Sequence, residues 1–480
     1  MRSTAIALAF LALWQTSEAA TLHVPGDYPS IQQALNAATS GDDVLVGPGT
    51  YLGNLIMSSA QDGVILHSAS GPGVTILDGN GASPVLTVLS VGPTTEISGF
   101  TITHPGLSQF FTNIGAGINL QQASPKISGN VLVGNDVTGA IYVTQGSPWI
   151  VDNDIRDNQA PHGSGGGIYF DHFSNGKIEN NTFTNNHAAY KGGALAIWEG
   201  SAPLVTGNHF TLNQADAGGG AVLVTRGSSP TLSNNEFRGN DASLATGGAI
   251  EISLDSHPLV QENQIIGNTG GGAIYINGLG GAHPTIEKNL IEDNECPHGS
   301  GGGIYVDNGA TPLIRGNVIA RNHCVAWGGG ITIWSYSAPT LSGNTIVLNK
   351  ADLGGGNVHL RRGAYAALDH NILSHSPNDG LDLDFHDDYV SATLSCNDVS
   401  DNAGGNYTGL ADPTGTNGNI SSDPLFCDLM ALDVHLSSVS PCTAANAPAG
   451  CDLIGALDVG CEGPVRTENT TWGGLKARYR

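Results

Sequence analysis

Ten asparagines recur through the middle of the chain at nearly constant spacing: Asn130, Asn153, Asn181, Asn208, Asn235, Asn263, Asn289, Asn317, Asn344 and Asn371. The steps between them run from 23 to 28 residues, and a second asparagine follows five residues after nine of them, from Asn135 to Asn349. A fixed period of this length marks a stacked repeat, in which each unit buries its apolar face only against its neighbours. Most units open with Pro–x–apolar, as in Pro203-Leu204-Val205. A bulky apolar residue stands two places after the first asparagine, as at Phe183, Phe210 and Phe237. A glycine-rich turn then leads into an apolar–x–apolar run such as Ile168-Tyr169-Phe170 or Ile331-Thr332-Ile333.

Apolar residues at i and i+2 follow the strand period, and no run shows a helical stripe. Units of about 27 residues with two or three short strands and tight Gly/Asn turns predict an all-β solenoid, a parallel β-helix. The crossover rule for parallel strands makes it right-handed. Successive coils then stack at about 4.8 Å, so equivalent side chains lie over one another. Phe183, Phe210 and Phe237 become an interior column, and each asparagine series becomes a ladder. A leucine-rich or helical solenoid lacks support, because the leucine spacing and the helical stripe are both missing.

The ends differ from the middle. Residues 1–19 read as a secretory signal, with Arg2 at the start, the apolar run Ala5–Leu13 and small residues before a cleavage after Ala19. Residues 20–123 hold the N-terminal cap and first coils. The cap is a helix over Ile31–Ala38 with Ser30 at its start. The coils proper span 124–394. Residues 395–463 carry Cys396, Cys427, Cys442, Cys451 and Cys461 and read as a cysteine-rich C-terminal cap; two bridges there leave one thiol, with the pairing open. Cys296 and Cys324 each follow a second-series asparagine by two residues in consecutive coils. Stacking puts them about one strand spacing apart, within disulfide reach, so a bond between them is expected. Residues 464–480 hold four of the seventeen basic residues and read as a frayed tail, or alternatively as a docking tag. No segment of the mature chain is long and apolar enough to span a bilayer.

The run Pro29-Ser30-Ile31-Gln32-Gln33-Ala34-Leu35, followed by Gly41-Asp42-Asp43-Val44-Leu45-Val46 and Pro48-Gly49-Thr50-Tyr51, resembles the N-terminal region of the pectate-lyase-like right-handed β-helix superfamily. That resemblance implies the fold and admits polysaccharide lyases, esterases, epimerases and hydrolases. The Asp-Pro-His-Glu run of the epimerases is absent, and the esterase and paired-aspartate glycosidase motifs are unmatched, so no catalytic residue carries over. Gly-Gly-Ala-Leu at 192–195, Gly-Gly-Ala-Ile at 247–250 and the Phe-x-x-Asn tetrapeptides resemble polymorphic outer-membrane adhesin repeats, which implies surface adhesion.

A larger period of 136 residues, or five coils, divides the solenoid into blocks at about 124–256 and 257–391. Pro161-His162-Gly163-Ser164-Gly165-Gly166-Gly167-Ile168-Tyr169 recurs at 297–305. Asp171 matches Asp307, His187 matches His323, Trp198 matches Trp334, Asp216 matches Asp352 and Arg226 matches Arg362. Strand alternation points Tyr169, Trp198, Tyr305 and Trp334 outward, with Arg226 and Arg362 close by. These six are the expected substrate-binding residues, since aromatic rings and polar groups on a long face suit a polysaccharide. The alternative is that the tryptophans pack under neighbouring turns and the histidines bond loop backbone. Catalytic candidates are His162, Asp171, His187, Asp216, His298, Asp307, His323 and Asp352, arranged as two groups roughly 24 Å apart by strand spacing. Asp382, Asp384 and Asp387 form the densest acidic run and suit calcium; the alternative is a charged last strand that blocks edge pairing.

The formal charge of −25 disfavours nucleic acids and polyuronates as partners. The function expected from these features is an exported, non-catalytic surface for an extracellular or envelope polysaccharide. A polysaccharide lyase or glycoside hydrolase is the first alternative, and a structural envelope component or adhesin the second.

Overall fold

The computed structural model describes residues 19–81, 84–104, 116–384 and 389–463. Nearly all of the expected signal segment, the basic tail and Asp387 lie outside the described residues. Parallel strands stack into three sheets that run the length of a solenoid and a fourth, shorter one along its middle coils. Within one coil the chain passes through sheet 1 (fifteen strands, Thr21–Val24 to Ser391–Ser395) and sheet 2 (fourteen, Gly49–Leu52 to Asp398–Ser400). It continues through sheet 3 (eight short strands, Gln159–Ala160 to Lys350–Ala351) and sheet 4 (fourteen, Leu55–Met57 to Gly405–Thr408).

Register follows the period. Phe183 pairs with Phe210 and Phe210 with Phe237, with ring centroids 4.7 and 4.8 Å apart and planes within 9°. One continuous apolar core runs from Leu22 to Val399. The helix α1 (Ile31–Ala37) is capped by Ser30 and buries Ile31, Ala34 and Leu35 beside the first strands.

The asparagines sit at the two turns that flank sheet 2. The residue before each ladder position is left-handed; Asp152, Asn180, Asn234 and Lys288 all have φ of 54°. Such turns break the backbone ladder and leave peptide groups in need of partners. The asparagine amides supply them. Asn208 Nδ2 donates to Ile178 O at 2.8 Å, and its Oδ1 accepts from the backbone N–H and Nδ2 of Asn181 at 2.9 and 3.0 Å. The first ladder extends past Asn371 through Asn397 to Asn419. The second passes from Asn349 to Asn357, Asn402 and Asn406, leaving the sequence period because Asn357 is only eight residues on.

Disulfides join Cys396 to Cys451 and Cys427 to Cys461, and Cys442 is free. The bond expected between Cys296 and Cys324 is not formed. The two pair in register, but their sulfurs stand 2.7 Å apart as thiols. A disulfide needs its sulfurs about 2.05 Å apart.

The cysteine-rich segment leans on the flank of the solenoid. Phe426, Val434, Leu436, Cys442 and Ile454 pack against Val318, Ala320, Val347 and Ile372 on the outer side of sheet 2. Earlier coils carry Thr182, His209 and Glu236 at the corresponding outward places. At the junction, fully buried Asp398 accepts from Ser422 N and Cys442 Sγ, each at 3.1 Å. Burial pushes its carboxyl up to about 7.

Asn213→Ala removes four side-chain hydrogen bonds and strands Asn186 N. It should cost about 3 kcal/mol or more in chemical unfolding, while Thr182→Ala at an exposed strand position nearby should cost under about 1 kcal/mol; equal costs would remove the ladder as the main polar restraint. At Asp398 the folded carboxyl holds its proton to higher pH than the unfolded one. The associated stability is therefore greatest below about pH 4 and declines by on the order of 4 kcal/mol as pH rises to about 7. Asp398→Asn should flatten that decline in a thermal-unfolding series; an unchanged slope would assign it to other groups.

Candidate functional site

Sheet 4 carries the chemistry on its outward face. Register places Tyr142, Tyr169, Ala196, Leu223, Glu251, Tyr275, Tyr305, Thr332, His359 and Asp382 in one outward column. Two residues on, where the pleat faces the same way, come Asp171, Trp198, Asn277, Asp307 and Trp334.

The first cluster is a stack along the rod. Tyr142 and Tyr169 rings lie 5.5 Å apart, Tyr169 and Trp198 6.1 Å, and the Arg226 guanidinium sits 4.7 Å from the Trp198 ring centre. Beside the stack, Asp171 is 4% exposed and accepts from Tyr142 Oη at 2.8 Å and His172 N at 2.9 Å. His172 joins two acids, with Nδ1 2.9 Å from Asp171 and Nε2 3.2 Å from Glu199. Burial, followed by the Asp171 charge, pushes the Tyr142 and Tyr169 phenols up, so both stay protonated as donors. Between these rings, His162, Ser164 and the exposed Tyr190 lies a pocket of about 220 Å³.

The second cluster repeats the frame five strands later with different polar groups. Tyr275 and Tyr305 lie 5.2 Å apart, and Tyr305 meets Trp334 edge-on at 6.4 Å. Tyr305 Oη donates to Asp307 at 3.2 Å, and Asn308 replaces His172. Ser335 stands where Glu199 does in the first block. Arg361 lies over Trp327 and Trp334 at 4.4 and 5.1 Å, and Arg362 lies 5.3 Å from Trp334. His359, stacked on Trp327 and buried, holds Asp382 through Nδ1 at 2.9 Å. Between the clusters, Glu251 is 1% exposed, with Oε1 2.5 Å from Lys191 Nζ and Oε2 without a hydrogen-bond partner. Burial outweighs Lys191 and raises its carboxyl pKa.

The histidines and aspartates grouped in sequence divide between two places. Asp171 and Asp307 lie on sheet 4. His187 pairs with Asp216 at 3.0 Å, and His323 with Glu295 and Asp352 at 2.9 and 3.2 Å, along the short sheet 3 and the turn after it. His162 lines the pocket, and His298 is exposed in the matching turn. His187 and His323 therefore bond carboxylates. Trp198 and Trp334 pack with rings and guanidinium groups of their own face. Tyr142, Tyr275, His172, Glu199, Trp327, Tyr190 and Glu251 escape the motif search. The first two are visible only by counting one coil back, and there the coils are irregular in length.

Asp171, His172 and Glu199 bring one ligand atom each within 4.8 Å of one another, which is a donor set able to hold a cation. His370, Cys396 and Cys451 also converge, but the two cysteines are joined to each other. Asp382 is taken by His359, and Asp384 by Arg361 at 2.7 Å.

The model for the right handed beta helix region matches residues 210–346, and that for the periplasmic copper-binding protein NosD matches residues 53–272. No curated protein matches the chain in sequence. Among solved structures, the catalytic unit of a thermostable GH87 α-1,3-glucanase from Streptomyces thermodiastaticus strain HF3-3 is similar at TM-score 0.50 and 14% identity. The match covers 82% of this chain and 66% of that one, so the chain spans just under two thirds of that unit. The Agl-KA catalytic domain matches at TM-score 0.48 and 14% identity, over 85% of this chain and 70% of that one. An alginate lyase from Paenibacillus sp. str. FPU-7 matches at 0.31 and 13%, over 78% and 99%. At these identities the likeness is one of fold.

Lys191→Met leaves Glu251 buried without its cation. Near neutral pH this should cost about 3–5 kcal/mol. Because a raised carboxyl favours the folded state at low pH, the loss should shrink on acidification, and Lys191→Met with Glu251→Gln should recover most of it. A pH-independent loss that the second substitution does not rescue would assign the effect to packing.

Proposed function

The chain belongs to the right-handed parallel β-helix superfamily, and from that premise we propose that it is exported and binds the chains of an extracellular or envelope polysaccharide on the outward face of sheet 4. The observation that carries this reading is the pocket walled by Tyr142, Tyr169, Tyr190 and Trp198, with the Asp171–His172–Glu199 group beside it. Rings supply apolar surface for the C–H faces of a sugar, and phenols, carboxylates and imidazole bond its hydroxyls. The stacked rings of Tyr169 and Trp198 spend their faces on each other, so they offer edges and polar tips; the ring free to lie on a sugar is that of Tyr190, 61% exposed. The α-1,3-glucanase likeness supports the fold on which such a face is built. Two disulfides fit an oxidising compartment. Helix α1 acts in this reading as the cover of the first coil. Asp382 and Asp384 serve in this reading as the partners of His359 and Arg361.

A glycoside hydrolase is the second reading. It is favoured by the Asp171 and Glu199 oxygens, which lie within 4.8 Å of each other, close to the carboxyl spacing of about 5 Å in retaining enzymes. Release of reducing ends that stops in Glu199→Gln would establish it.

For binding, affinity electrophoresis and calorimetry against neutral glucans and envelope polysaccharides are expected to show a weakening of about tenfold in Tyr190→Ala, or about 1.4 kcal/mol. Tyr365→Ala, an exposed ring on sheet 1, should bind as the unaltered protein does. Equal binding by all three proteins would remove the sheet 4 pocket as the site.

A further inference from the structure

We infer that one linear, neutral polysaccharide chain lies along the rod and occupies both aromatic clusters of sheet 4 at once. This rests on the binding function proposed above and adds to it the form of the ligand: a chain with a minimum length. Tyr169 and Tyr305 stand in the same outward column, five strands apart in the sheet order. Every pairing between them keeps its register, so the column runs unbroken from one cluster to the other. Five strand spacings are roughly 24 Å.

The surface between the clusters is made for passage. Ala196 and Leu223 are fully covered, and Glu251 is closed over by Lys191. The turns along both long edges of the sheet present apolar groups: Tyr190, Leu244 and Leu353 where the chain enters the sheet, and Phe173, Leu279 and Tyr336 where it leaves. A ligand confined between those edges runs with the rod. The carboxylates Asp171, Glu199 and Asp307 along this line disfavour a polyanion, and their oxygens accept from sugar hydroxyls.

Binding at two sites by one chain makes the second contact intramolecular, with an expected gain in affinity of 10² or more once the chain reaches across, on the order of the usual effective-concentration gain. The test is calorimetry of the full chain with size-fractionated neutral glucan oligosaccharides, α-1,3-linked and β-linked series in parallel. Short members should bind weakly with two per protein. Members longer than about 24 Å should bind one per protein, at least a hundredfold tighter. Tyr190→Ala and Arg362→Ala, each at an exposed residue of one cluster, should separately weaken long-chain binding about tenfold, and together about a hundredfold, back to the short-chain value. Each should weaken only its own short-chain site.

A Kd independent of length, or two long chains per protein, would overturn the bridging while leaving glycan binding intact. Absence of binding at every length would remove the glycan reading itself, and this inference with it.

Discussion

Buried amide groups hold this molecule to its period. Each ladder asparagine uses its carbonyl and its NH2 group at a left-handed turn where backbone pairing fails, and a buried amide that misses its partners is costly. Until the second ladder leaves the period at Asn357, the partner is the equivalent asparagine one coil away, so no coil there can shift without breaking bonds on both sides. Nine ladder pairs keep the spacing of five residues although the coil length varies from 23 to 28. Changes in length must then fall elsewhere, mainly in the turns around sheet 4. Ile274 follows Ile250 by 24 residues, and Ile304 follows Ile274 by 30. The side of the coil that tolerates insertion is the one that carries the pocket, in keeping with the tendency of function to sit on loops held by a rigid frame.

The two five-coil blocks share that frame and differ in its charges. Both blocks keep two tyrosines, a tryptophan, an aspartate and an arginine at matched places. In the first, Glu199 takes Arg226 and His172 together. In the second, Ser335 and Asn308 stand at those positions; Arg362 lies over Trp334 without an ion pair among the described residues, while Arg361 takes Asp384. Leu223 in the first block corresponds to His359 in the second, and Glu251 to Asp382, by strand order. The apolar stacking is a property of the coil; the polar groups around it are free to change, because they lie outside the ladders and the core.

Much of this was legible from spacing. The phenylalanine column, the outward aromatic residues and the two-bridge, one-thiol cysteine region follow once equivalent residues are taken to stack. The site was legible only in part, for two reasons. Tyr142 and Tyr275 lie at coils of unusual length, where counting by the period misplaces a residue. His162, Asp171, His187 and Asp216 are close in sequence pattern, yet a corner of the coil stands between sheet 3 and sheet 4, so Asp171 finds His172 and His187 finds Asp216. The flank packing of the cysteine-rich segment had a sign in Val318, Val347 and Ile372, apolar residues at outward places. What covers an outward apolar column cannot be read from the column itself.

The sequence by itself determined the repeat, its strand period and the vertical alignment of equivalent residues, because a solenoid turns a constant spacing into direct contact. The tertiary structure alone decided which neighbours meet around a corner, which carboxylate each arginine and histidine takes, and that Cys296 and Cys324 meet as thiols. Those outcomes depend on the angle at which side chains leave the coil and on the length of each turn, and neither quantity is periodic.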